Sequence, residues 1–128
     1  KVLKRSNCRF FLMTGNNIDE LKIMDEIIES EYKEYCTPLN NFTIKEILPI
    51  IPNCQIAICN DSSFSHLSAG LGIKTIVLMV DTPLIYGSYN KNMYPILPEG
   101  ETNVTHDTLG KDKINPEEIY NNFKKLLG

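Results

Sequence analysis

Two short apolar runs, residues 55–59 (QIAIC) and 74–80 (KTIVLMV), constrain this chain more than any other feature. Each is nearly continuous, so each fits a strand buried on both faces rather than a half-exposed antiparallel one. Between them lie a polar turn, Asn60-Asp61-Ser62-Ser63, a short helical stretch over 64–71, and Gly72. Gly72 suits the left-handed position that ends a helix. A strand, a helix and a second buried strand in that order predict a parallel sheet covered by helices.

The same alternation runs through the rest of the chain. Residues 8–14 (CRFFLMT) read as a buried strand ended by Gly15, followed by the acidic turn 16–20. Leu21, Met24, Ile27 and Ile28 then recur at helical spacing. Residues 36–41 (CTPLNN) carry turn residues. A second helix starts at Thr43, a plausible N-cap, and places Ile44, Ile47, Leu48 and Ile51 on one face. Pro49 lies inside that pattern and should kink or shorten it. Residues 81–94 read as a loop, 95–97 as a short strand and 99–113 as a polar loop. The last helix has a strong start: Asn115 as cap, Pro116 in the first helical position, and Glu117-Glu118 in the first turn. Ile119, Phe123, Leu126 and Leu127 form its expected apolar face. The expected architecture is α/β, an open parallel sheet flanked by helices. The 128 residues form a single domain, with no linker evident and no internal repeat.

Composition excludes some classes. A net charge of -3 offers no basic excess, so nucleic acid is not an expected partner. No apolar stretch is long enough to span a bilayer, and the first residues do not read as a signal peptide. The sequence does not open on Met and is read as a piece of a longer protein. Cys8, Cys36, Cys54 and Cys59 form no CxxC pair and read as small buried residues of a reducing compartment. With His66 and His106 as the only histidines, no metal site is expected.

In open parallel sheets, ligands bind beyond the carboxyl ends of the strands. Three such ends stand out, at 15–20, 60–63 and 81–92. The middle one carries most information. A helix N-terminus presents unpaired amides and a partial positive charge, and so attracts phosphate. Ser62 and Ser63 allow close approach and add hydroxyls. Asp61 suits sugar hydroxyls or fixes the turn, and His66 lies one turn into the helix. An ordinary N-cap gives the same letters, and caps greatly outnumber phosphate sites. No GxGxxG, GxxxxGK[ST] or GxSxG is present, and no two carboxylates are paired by spacing.

Residues 60–71, NDSSFSHLSAGL, followed by GIKTIVL, resemble the bacterial heptosyltransferase family, the ADP-heptose enzymes of the lipopolysaccharide core. The family stretch reads D-[ST]-G-x-x-H-[LI]-x-A before a strand, and Asp61, Ser62, His66, Leu67 and Ala69 fall on it. Residues 84–92 (LIYGSYNKN) resemble the family's Gly-Tyr-Gly-Lys-Asn loop, residues 8–20 its strand–Gly–acidic turn, and residues 114–127 its closing helix. Ser63 stands where the family has glycine, and the family's Gly-Pro-Thr-Asp-Pro loop corresponds to residues 79–83, MVDTP.

The resemblance implies the Rossmann-like C-terminal half of a two-domain GT-B glycosyltransferase. It implies inverting transfer of heptose from a nucleoside diphosphate, ADP-heptose as substrate, to a lipopolysaccharide-core or related glycan or glycolipid acceptor, with no cofactor. Asp61 would contact the donor sugar. The backbone of Ser62 and Ser63 would hold the diphosphate, with His66 nearby. Asp19 or Glu20 would accept from the ribose, and Phe42 would lie against the base. The catalytic base is unknown and expected on an N-terminal domain. The chain alone is therefore expected to be inactive. The full protein would be cytoplasmic, at the inner face of the inner membrane through peripheral association. Two other readings remain: a non-catalytic nucleotide-sugar-binding module, and an α/β protein-interaction domain using Tyr86, Tyr89 and Tyr94. A response-regulator-like domain would need an acidic phosphoacceptor and a lysine at strand ends, which the sequence does not supply together.

Overall fold

The computed structural model describes residues 7–128. They group into two compact units, one ending at Pro49 and one running from Ile50 to Gly128.

In the first unit, β1 (Phe10–Leu12) pairs in parallel with β2 (Cys36–Pro38), Phe10 opposite Cys36. The amide of Leu39 extends the ladder by donating to the Leu12 carbonyl at 2.8 Å. Helix α1 (Ile18–Ile28) connects the two strands. Asn17 caps it, its side chain accepting from the Glu20 amide at 3.0 Å. Met24 is buried, with Leu21, Ile27 and Ile28 half-buried beside it, so the expected face is present. The run 8–14 is shorter and more open than its composition predicts. Only three residues form strand, and Phe11 is 51% exposed because the pleat turns it away from Phe10 and Leu12.

Helix α2 (Ile44–Ile47) is a single turn. The Thr43 amide and hydroxyl both donate to Glu46 Oε2 at 2.8 Å, which starts it firmly. It stops before Pro49, and a separate 3-10 turn follows at Ile51–Asn53. The predicted continuous face through Ile51 is therefore broken, and Ile44 is exposed.

The second unit is a three-stranded parallel sheet in the order β3 (Ile56–Asn60), β4 (Lys74–Leu78), β5 (Met93–Ile96). Asn60 lies opposite Leu78, and Leu78 opposite Ile96, so all three carboxyl ends share one edge. Consecutive residues Thr75, Ile76 and Val77 are fully buried, so β4 is covered on both faces. Helices α3 (Ser63–Gly70) and α4 (Pro116–Leu127) pack on β3 and β4. The α/β class is as expected: parallel strands flanked by helices. The strands form two ladders, one in each unit.

Local signals explain the helix ends. Gly72 has φ 87°, its amide donates to Ala69 O at 3.1 Å and Ile73 N donates to Ser68 O at 3.0 Å, the paired bonds of a Schellman end. Asn115 caps α4 by accepting from the Glu117 amide at 2.9 Å. Its buried face is Tyr120, Phe123 and Leu126, with Leu127 exposed and Ile119 half-buried, so the predicted stripe is rotated. Val104, in the loop expected to be polar throughout, is 1% exposed and joins Ala69, Val77, Met79 and Met93 in the core. Strand β5 begins two residues earlier than predicted. The four cysteines are free and half-buried rather than fully buried. Among the described residues, no helix is long and apolar enough to cross a membrane.

Candidate functional site

The carboxyl edge of the β3–β4–β5 sheet opens into a cavity of about 460 Å³. Its wall is Asn60, Asp61, Leu78, Val80, Asp81, Leu109, Lys111 and Ile114. Asn60 and Leu78 are the paired last residues of β3 and β4, so the sheet register itself places the cavity floor. Four apolar side chains, two carboxylates and one ammonium group face the space. Carboxylates accept from hydroxyls and apolar side chains cover carbon-bound hydrogens, a combination that suits a sugar.

Next to Asp61 the chain enters α3. Ser62 is the N-cap, in extended conformation (φ -155°). The turn is locked by Ser65, fully buried, whose Oγ accepts from the Ser62 amide at 3.3 Å and donates to the Ser62 carbonyl at 2.7 Å. The Ser65 amide donates to Ser62 O at 3.0 Å. The outward donors of the first turn are therefore the amides of Ser63 and Phe64, whereas the Ser62 amide is occupied. Ser62 and Ser63 are exposed and do not line the cavity. Ser63, where the family has glycine, sits as the first residue of a regular helix.

His66 also stands outside the cavity wall. Its Nε2 is 3.6 Å from Asp61 Oδ1, with the Asp61 side chain 12% exposed and that of His66 38%. On its other side Nδ1 lies 2.8 Å from the Tyr89 hydroxyl, and the two rings stack at 5.7 Å with planes 19° apart. Tyr89 was legible only as an exposed aromatic residue. Its partnership with His66 comes from a separation of 23 residues that no local pattern signals.

Asp61, Ser62, Ser63 and His66 are thus brought together in the second unit. Asp19, Glu20 and Phe42 belong to the first. Asp19 is 88% exposed, 4.0 Å from Lys22 Nζ. Glu20 accepts from the Asn17 side-chain amide, and its carboxylate packs against Gly15, where a Cβ would make this flexible side chain shift. Phe42 is exposed, its amide donating to Leu39 O at 3.0 Å.

Sequence reasoning missed Lys111 and Leu109. Leu109 is 74% exposed and has φ 45°, a left-handed conformation rare for a branched side chain. It precedes buried Gly110 and puts Lys111 on the cavity wall. Burial pushes the Cys59 thiol, one residue before Asn60, up to about 11 despite its hydrogen bond with Ser68, so it is not a thiolate near neutral pH. Among the described residues, no three His, Cys, Asp or Glu side chains converge as a metal site.

A parallel α/β sheet with a cavity at its carboxyl edge defines a class of protein that takes ligands beyond its strand ends. The chain matches the family model described as glycosyltransferase family 9 (heptosyltransferase) over residues 1–113. It belongs to that family. The matched span covers most of both units and ends before α4. No curated protein and no solved structure matches the chain.

Proposed function

We propose that this chain is the donor-binding domain of an inverting glycosyltransferase, moving heptose from ADP-heptose to a lipopolysaccharide-core or related glycan acceptor. The observation that carries the reading is the position of Asp61. It lines the cavity at the β3–β4 carboxyl edge and stands two residues before the first free amide of α3, that of Ser63. In this reading Asp61 accepts from hydroxyls of the donor sugar. The amides of Ser63 and Phe64, with the hydroxyls of Ser62 and Ser63, hold the diphosphate. As the bond to the sugar breaks, charge builds on the diphosphate oxygens. Fixed amides at a helix N-terminus stabilise that charge without reorganising. Lys111 adds the positive charge of the cavity wall.

Asp19 and Glu20 are the candidate ribose acceptors and Phe42 the candidate base contact. In this reading the acceptor and the general base belong to a second domain, and Asp61 is assigned to binding. The full protein works in the cytoplasm, associated peripherally with the inner membrane where its acceptor is built.

Calorimetry with ADP and ADP-heptose on the native chain, Asp61→Ala and His66→Ala tests this. A donor domain binds ADP-heptose more tightly than ADP and loses that difference in Asp61→Ala. Equal affinity for the two ligands in the native chain would leave the second reading, a nucleotide-binding module without transfer, which Ser63 in place of glycine favours.

A further inference from the structure

Tyr89 reaches α3 from a loop that is tied down on two sides. The Asn92 side-chain amide donates to Ala69 O in α3 at 3.0 Å, and the Thr75 amide of β4 donates to Asn92 O at 2.7 Å. Within the loop the Asn92 amide donates to Asn90 Oδ1 at 2.9 Å, and Ser88 Oγ donates to Leu84 O at 2.9 Å. The phenol is therefore delivered to His66 by a fixed backbone.

The imidazole has a carboxylate on one nitrogen and a phenol on the other. At 3.6 Å the Asp61 contact is electrostatic rather than a formed hydrogen bond. A lone pair on Nε2 would face that carboxylate and be repelled, so the proton belongs on Nε2. In the neutral ring Nδ1 is then the acceptor, and the Tyr89 O–H is the donor that fits it at 2.8 Å. The chain of contacts has one direction: phenol to imidazole, imidazole to carboxylate. Its last member is a residue of the cavity wall, whereas His66 is not.

We propose that Tyr89 is a positioning residue for sugar recognition: its hydroxyl fixes the Nε2–H form of His66, which in turn holds the Asp61 carboxylate in the orientation that meets the donor sugar. This rests on the assignment of Asp61 to sugar hydroxyls. It predicts that Tyr89 acts on the sugar part of the ligand and not on its nucleotide part, although Tyr89 is not part of the cavity wall.

The test uses the full chain, with Tyr89→Phe keeping the stacked ring and removing only the hydroxyl. Imidazole ¹⁵N shifts of His66 should report a single Nε2–H form in the native chain and a mixture in Tyr89→Phe. The ratio of ADP-heptose to ADP affinity should fall about three- to tenfold in Tyr89→Phe, with ADP affinity itself unchanged. In a His66→Gln background, where the side-chain amide donates without help, Tyr89→Phe should have no further effect. Unchanged imidazole shifts, or equal losses for ADP and ADP-heptose, would overturn the proposal while leaving the donor-site reading intact. A native chain that gains nothing from the sugar overturns both.

Discussion

The amide of Gly110 donates to the carbonyl of Val80 at 2.9 Å, just past the end of β4. This one bond fastens the 99–113 loop to the edge of the sheet where the cavity opens. It sets the positions of Leu109 and Lys111, which flank Gly110 and line the cavity. Gly110 has φ -84°, an ordinary value, so glycine is required there by space alone. A Cβ would lie 2.7 Å from Pro98 Cβ and 3.3 Å from Val80 O, and Pro98 is buried.

Gly110→Ala should therefore destabilise the fold by about 1–3 kcal/mol, the usual cost of overpacking a tight site. Urea denaturation measures it. A loss under about 0.5 kcal/mol would mean that the loop yields and does not fix the cavity.

Lys111→Ala should weaken ADP binding about two- to fivefold. The side chain is exposed, so its charge contributes at the scale of a surface ion pair. The difference between native and variant should shrink as salt is raised from about 0.05 to 0.5 M, because exposed charges are screened. An effect independent of salt would assign Lys111 a packing role.

Cys59 should make stability fall at high pH. Burial raises its thiol from 9.0 to about 11, so the folded chain holds the proton that the unfolded chain releases. A raised folded value gives stabilisation that is complete below pH 9 and is lost as pH rises through about 11. Thermal melts between pH 8 and 11 should show a steeper decline for the native chain than for Cys59→Ala. Parallel declines would show that the thiol is not protected.

Glu46 acts in the opposite direction. Its hydrogen bonds from the Thr43 amide and hydroxyl hold its carboxyl below the usual 4.5. A depressed folded value gives stabilisation that is present above pH 4.5 and is lost as pH falls through the lower folded value. Amide protection of the α2 turn, taken relative to the intrinsic exchange rate at each pH, should fall in acid in the native chain, and Glu46→Gln should flatten that response. If the variant and native profiles coincide, the capping bond does not carry charge.

What could be read from the sequence was local. The Asn115-Pro116-Glu117 start, the Gly72 stop and the Thr43 cap depend on hydrogen bonds spanning a few residues, so the letters determine them. The strands over 55–59 and 74–80 were legible because a continuous apolar run has few alternatives. The run at 8–14 looked the same, but the number of strands beside it decides its burial, and composition does not carry that. Asp61, Ser62, Ser63 and His66 were legible as neighbours on one turn. The cavity wall was not, because Leu109 and Lys111 arrive from about fifty residues away in sequence and are held by the backbone bond from Gly110 to Val80, just past β4.

Lys74 opens β4, at the end of the sheet opposite the cavity, and its Nζ donates to the Leu126 carbonyl at 2.7 Å. That clasp holds the closing helix, which follows the residues matched by the family model. The second unit thus has a foundation at one end and a working edge at the other. Loosening the final helix therefore bears on how firmly this unit stands from the end of the sheet remote from the cavity, since its clasp to Lys74 lies there.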